Sequence, residues 1–310
     1  MRPRYLIALL AINCCGYELT GRIDPPALFA VFLHGTTAPF EASTESDASG
    51  RFQFHKLAPG TYTLVISTAA RGALQRTIEL SPGTVDSRGR LNLALRIENS
   101  RLESDGKRST GATVAATVLS IPDSAVREFR EAQRCLQRRD SDCASGHLRR
   151  AVQVAPQFVA AWNQLGTIAY QTQRYADAET NFREALRSDP EAFEPLVNLG
   201  GVLLNLGRPE EAIGYNKRAV ERRPNDALAN SQLGMSYLQL NELDPAEKYL
   251  KTAVQLDPAH FSHPQLSLAG IYIKRGDRQS AASALRGFLE QHPDSPRAVE
   301  IREKIAQLSQ

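Results

Sequence analysis

The stretch that decides the fold is Trp162-Asn163-Gln164-Leu165-Gly166-Thr167-Ile168-Ala169, followed by Ala178-Glu179-Thr180-Asn181-Phe182-Arg183-Glu184-Ala185 and then Pro190. Trp162, Leu165, Gly166 and Ala169 fall at i, i+3, i+4 and i+7, one stripe of a helix. Ala178, Phe182 and Ala185 repeat that periodicity in a second helix, which Pro190 stops, because proline lacks the N–H and clashes with the preceding turn. Gly166 and Ala178 are small where two such helices would cross. Trp162, Leu165 and Phe182 are large enough to fill the space around that crossing.

Working outward, Pro156, Pro190, Pro224 and Pro258 recur every 34 residues and Pro293 follows after 35. Leu196, Leu199, Gly200, Ala212 and Ala219 keep the register in one neighbouring unit, and Leu233, Gly234, Tyr237, Ala246, Leu250 and Ala253 in the next. The flanking units are more degenerate, with Ala132, Ala144, Leu148 and Ala151 before and Leu268, Ala269, Tyr272, Ala281 and Leu285 after, as terminal repeats usually are. The pattern W-x2-L-G, A-x3-F-x2-A, proline resembles the tetratricopeptide repeat. Five units are expected, 125–158, 159–192, 193–226, 227–261 and 262–294. Ala298, Ile301, Ile305 and Leu308 then mark a capping helix over 295–310.

The resemblance implies a superhelix whose concave groove, lined by the first helix of each unit, binds a protein or peptide. Its groove positions fall on Asn163, Gln164, Gln171, Val197, Asn198, Asn205, Gln232, Met235, Gln239 and Lys274. Amide side chains there can both donate to and accept from an extended backbone. The lysine and arginine pattern of the chaperone-tail clamp is missing, so a terminal carboxylate is not the expected ligand.

Before the repeats the period changes to alternation, in Leu28–Leu33, Phe52-Gln53-Phe54, Tyr62–Ile66 and Leu91–Leu95. Turn signals at Ser49-Gly50, Pro59-Gly60, Pro82-Gly83 and Arg88-Gly89 separate these runs, which predicts an antiparallel β-sandwich over residues 17–98. Asp47-Ala48-Ser49-Gly50-Arg51-Phe52, then Leu57-Ala58-Pro59-Gly60-Thr61-Tyr62, resembles the carboxypeptidase regulatory-like domain, an accessory sandwich without catalytic residues. Residues 99–124 read as a linker holding one short strand within Ala112–Leu119. At the start, Arg2 and Arg4 precede the apolar run Tyr5–Ile12 and then Cys14-Cys15, which resembles a secretory signal over 1–16 with a lipid-attachment cysteine. The readings are an exported protein held in the periplasm or anchored through Cys14 or Cys15, simple secretion, or a buried N-terminal segment.

Composition narrows the function. A net charge of +3, from 37 basic and 34 acidic residues, is too small to point to nucleic acid. Lys107 and Arg108 read as solvated linker. Four cysteines make no disulfide framework, and Cys135 and Cys143, eight apart across a hairpin turn, are either a bridge or two buried thiols. His260 and His263 have metal-pair spacing but no third ligand, and read as an exposed loop pair; the other histidines are isolated. With no GxSxG, P-loop, GxGxxG or HExxH, no catalytic residue, cofactor or metal is expected. The expected function is a non-catalytic scaffold of the cell envelope; the alternative is an envelope or glycan-binding accessory protein whose β-domain does the recognition.

Overall fold

The computed structural model of the protein describes residues 16–68, 72–97 and 121–310. Cys14, Cys15 and the strand expected within 112–119 lie outside the described residues. Among the described residues seven strands come first, β1 (Tyr17–Asp24), β2 (Ala30–Gly35), β3 (Glu41–Glu45), β4 (Arg51–Leu57), β5 (Gly60–Thr68), β6 (Gly72–Leu80) and β7 (Arg90–Arg96). They form a three-stranded sheet ordered β4-β1-β7 and a four-stranded sheet ordered β3-β2-β5-β6. The expected antiparallel pairing holds throughout except that β7 runs parallel to β1, with Leu19 opposite Leu91 and Gly21 opposite Leu93. The departure arises because β7 returns from the other sheet instead of following β1 through a hairpin.

Alternation builds the sandwich core. Leu19, Ile23, Val31, Leu33, Phe52, Phe54, Leu64 and Ile66 are buried between the sheets, and their neighbours in sequence face outward. The Asp47–Gly50 signal forms a tight turn in which the Asp47 carboxylate accepts from the backbone N–H groups of Ser49 and Arg51, each at 2.9 Å. Gly50 there adopts φ +76°, a conformation that costs a residue with a Cβ. Two strands escape the sequence patterns. Polar β3 and the mixed β6 lie at the two edges of the four-stranded sheet, where one flank lacks a strand partner.

Eleven helices follow among the described residues. They pair as α1 (Asp123–Gln137) with α2 (Ser141–Val154), α3 (Val159–Gln171) with α4 (Tyr175–Ser188), and α5 (Phe193–Asn205) with α6 (Pro209–Arg222). The remaining hairpins join α7 (Ala227–Gln239) to α8 (Leu243–Leu256) and α9 (Pro264–Lys274) to α10 (Arg278–Gln291), before the closing α11 (Ala298–Leu308). Each hairpin turns on a left-handed residue at the same register, Arg139, Gln173, Gly207, Asn241 and Gly276. The crossing positions are Ala132, Gly166, Gly200, Gly234 and Ala269, and a Cβ on Gly166 would lie 2.5 Å from the Phe182 ring. Ile301 is buried and Ile305 and Leu308 pack beside it against Leu285 and Phe288, so α11 covers the last hairpin.

One position breaks the repeat. Leu148, Phe182, Leu250 and Leu285 occupy corresponding places in four hairpins, but the third has Asn216, which is completely buried. Its amide donates to the Ser236 hydroxyl at 3.0 Å, and its Oδ1 has no partner among the described residues. Ser236 keeps a second bond, donated to the Gln232 carbonyl at 2.8 Å. Leucine should therefore be tolerated against Gly200 as Leu250 is against Gly234. Asn216→Leu is expected to raise unfolding stability by about 1–2 kcal/mol, since an unmet buried acceptor disappears and apolar surface is gained. Urea unfolding of the two proteins checks this, and a less stable variant would show that Asn216 is satisfied or that leucine overpacks.

Candidate functional site

The four-stranded sheet lies across the concave side of the solenoid and touches its first and last hairpins. At the first, the Arg139 guanidinium stands 4.7 Å over the Phe40 ring and donates to the Tyr62 hydroxyl at 2.8 Å. Arg139 is the left-handed turn residue of its hairpin, so the backbone conformation that turns the chain also aims this side chain. Beside it, Gln133 donates to Glu41 at 3.3 Å. In the middle, the Gln171 side chain donates to the Gly35 carbonyl at 2.8 Å. Toward the far end, Asp257 accepts the backbone N–H of Thr77 at 3.0 Å, and Arg76 donates to the Leu256 carbonyl. His292 and Glu79 meet at 3.0 Å, and Ser81 donates to Asp294 at 3.0 Å.

A cavity of about 480 Å³ remains between sheet and helices. Its sheet wall is the outward set that alternates with core residues, Phe32, His34, Thr63, Val65, Ser67 and Gln75. Its helical wall comes from α3, α5 and α7, with Asn163, Gln164, Thr167, Tyr170, Asn198 and Gln232 among its members. Asn198 donates to Asn163 at 3.0 Å, and the buried Gln232 Oε1 has no partner among the described residues. The charged groups at the margin are engaged: Arg223 pairs with Glu194 at 3.0 Å, and Asp226 caps α7 by accepting from the Ala229 N–H at 2.8 Å. Burial raises the Asp226 carboxyl to about 6 against its own backbone bond, and it also raises the Asp257 carboxyl. Burial lowers the His34 imidazole. What faces the cavity unspent is therefore neutral: amides, hydroxyls and rings.

Of the residues the sequence placed in the groove, Asn163, Gln164, Gln171, Val197, Asn198 and Gln232 come together in this cavity wall. Four are occupied elsewhere or face outward. Asn205 donates to the Tyr170 hydroxyl at 3.1 Å, Met235 receives the Ser267 hydroxyl at 3.1 Å, Lys274 donates to Asn241 at 3.2 Å, and Gln239 is exposed. The groove is not an open trough, because the chain's own sheet covers it. The docking contacts join residues up to 213 positions apart through single polar atoms, and no periodicity advertises them.

The histidine reading requires correction. His260 is 3% exposed rather than on an open loop, and burial lowers its imidazole to about 3. His263 and His292 meet edge to face at 4.5 Å, and both rings also touch Phe288, at 5.1 and 4.9 Å. His260 and His263 are near neighbours in sequence, and the packing of α9 on α10 brings His292, at the end of α10, to His263. Cys135 and Cys143 are joined in a disulfide. With His147 they form the cluster of potential metal ligands found among the described residues, but the sulfurs are bonded to each other and His147 Nδ1 faces Glu128 at 2.8 Å. No lone-pair set remains there for an ion.

Comparison with known proteins agrees with the helical architecture. Tetratricopeptide repeat profiles match residues 129–190, 164–227, 203–263 and 265–295, which together exceed half of the chain. The chain is 29% identical over 110 residues to anaphase-promoting complex subunit 3 of Schizosaccharomyces pombe, a match covering 36% of this chain and 16% of that protein. The chain thus spans less than a fifth of the first curated relatives it matches. Among solved structures, MamA (41-end) from Desulfovibrio magneticus RS-1 superposes with a TM-score of 0.51 at 24% identity, covering 57% of this chain and 99% of that one. PilW, a widely conserved type IV pilus biogenesis factor, gives 0.54 at 22% identity and covers 60% and 86%. At these identities the likeness is one of fold.

Proposed function

The chain belongs to the tetratricopeptide repeat family, and from that premise we propose that it is a non-catalytic scaffold of the bacterial cell envelope whose concave groove holds a partner segment by its main chain. The observation that carries this reading is that the groove already grips polypeptide. Gln171 donates to the backbone carbonyl of Gly35 in β2, and Asp257 accepts a backbone N–H from Thr77 in β6, the two kinds of main-chain group that an extended segment offers. The envelope assignment rests on the basic and apolar N-terminal run ending in Cys14 and Cys15 and on the resemblance of the sandwich to carboxypeptidase regulatory-like domains. Recognition of glycans by the β-domain would call for aromatic side chains on its exposed sheet face. The three-stranded sheet instead carries Thr20, Arg22, Gln53 and Asn92 around its open cleft, while Phe32 and Phe40 face the helices.

A photo-crosslinking amino acid at Asn198 in the full chain, activated in bacterial cells, tests the reading. Two adducts are expected, one internal to the β-domain and one to a second protein. If intermolecular adducts form only from the same group placed at Gln53 or Asn92, recognition belongs to the exposed sheet and the groove reading fails.

A further inference from the structure

The four-stranded sheet has the character of a removable occupant. Each half of the molecule has its own core: the sandwich cluster draws only on residues between Tyr17 and Ile97, and the helical clusters only on residues between Phe129 and Leu308. Among the described residues no hydrophobic cluster spans the junction. What spans it instead is a set of single polar contacts at Gln133, Arg139, Gln171, Asp257, His292 and Asp294. Permanent interfaces resemble a protein core cut in half, with close packing and few unpaired groups. This one encloses a cavity of about 480 Å³ and leaves the Gln232 Oε1 buried without a partner among the described residues. Separation would cost polar contacts that water can replace, and would leave each core cluster whole, uncovering only the cavity-facing edges of Phe182, Phe193 and Val197.

The mode of docking also defines what could replace the sheet. β6 is an edge strand, and the Thr77 N–H points away from β5 toward Asp257. Beside it Arg76 reaches the Leu256 carbonyl and Glu79 reaches His292. The solenoid thus reads the free edge of a strand through one main-chain N–H, that of Thr77, and through the side chains of Arg76 and Glu79, which meet the carbonyl and carboxylate at the end of α8 and the imidazole of His292. An external segment in extended conformation would present the same outward N–H to Asp257, since an unpaired strand edge repeats its N–H and carbonyl array along its length, and a basic residue just before that N–H with an acidic residue two after it would repeat the contacts of Arg76 and Glu79.

We propose that the β-domain is a competitive occupant of the groove, and that an extended segment of a partner protein binds the far end of the solenoid by displacing β6 from Asp257. This rests on the groove being the partner site, and gives that site a closed resting state in which the chain binds itself. A ligand that selects the open state must then overcome the closed one, so its apparent affinity is reduced by the fraction of molecules that are closed.

The test uses the full chain and a fluorescein-labelled peptide copying Gly72–Leu80. Thr77→Pro removes the outward N–H of an edge strand while leaving the β5 ladder intact, a position where proline is tolerated. Its circular dichroism should match that of the wild type. Loss of one hydrogen bond to a carboxylate should open the closed state enough to tighten peptide binding by about tenfold. Should Thr77→Pro not fold, Tyr62→Phe combined with Glu79→Gln removes two other sheet-side contacts and keeps the buried ring, and the same tightening is expected. A peptide carrying proline in place of Thr77 should bind the opened protein about tenfold more weakly than the native peptide. Equal binding to wild type and opened variants would overturn the competition while leaving the groove reading intact. Binding to none of them would overturn strand capture at Asp257, and crosslinking from Asn198 would still decide the groove reading separately.

Discussion

Replacing Phe182 by alanine should cost about 3–5 kcal/mol of unfolding free energy, the range found when a fully buried phenylalanine is truncated and its cavity cannot collapse. Phe182 is 1% exposed and fills the crossing of α3 and α4, with its ring against Gly166 and Ala178 and on to Leu199, Val202 and Leu203 of the next hairpin. It therefore couples two units. In a linear array stability is set by units and by the interfaces between neighbours, so losing this ring weakens both kinds of term. Denaturant unfolding followed by circular dichroism reads the loss, and hydrogen exchange should place the fastest opening in α3–α5. A loss below about 1 kcal/mol would mean that the ring is not the keystone its burial implies.

A second large effect is expected from acid. The His260 imidazole is held at about 3 by burial, below the ordinary 6.5. The unfolded chain thus binds a proton at this residue below pH 6.5 while the folded chain does not, so this stabilisation is complete above pH 6.5 and is lost as the pH falls toward 3. At pH 5 the loss from His260 alone is about 2 kcal/mol, taking about 1.36 kcal/mol for each pH unit below 6.5. His263, lowered to about 4 by burial and then by His292, acts in the same direction, but its ring is only partly buried and its share is smaller. Asp226 opposes both. Its carboxyl is raised to about 6, so the folded state takes up its proton first and gains stability as the pH falls from about 6 toward 4. Asp257, also raised by burial, opposes them as well.

Because these contributions partly cancel, the informative quantity is a difference between two proteins. The stability advantage of wild type over His260→Asn should shrink by about 2 kcal/mol between pH 7.5 and pH 5. Urea unfolding at the two pH values measures it. An advantage that stays constant would mean that His260 titrates as it does in the unfolded chain.

The helical half was legible because its information is local and repeated. The crossing residues, the residues that fill them and the terminating prolines recur at a period of 34, and two helices in contact are neighbours in sequence. Asn216 could have been found the same way, as the polar exception at a place held elsewhere by Leu148, Phe182, Leu250 and Leu285. The amide character of the groove was legible too, in Asn163, Gln164, Asn198 and Gln232. Its cover was not. A strand such as β6, with Gln75, Thr77 and Glu79 on one side, reads as solvated polar surface, and only the folded chain places Thr77 beside a residue 180 positions away. The meeting of His263 with His292 escaped for a related reason, since it depends on how α9 lies against α10 and not on any spacing along the chain.

The contacts at Arg139 and at His292 sit at opposite ends of the superhelix, and one sheet holds both. A stack of hairpins is elastic: each junction yields a little, and the small rotations add up along its length. A sheet fastened at both ends works as a tie across a bow, setting the distance between the tips and with it the curvature of the whole arc. Stretching the protein from its two ends should first meet a stiff molecule, and then, once the tie parts, a softer one that lengthens by uncoiling before any hairpin unravels.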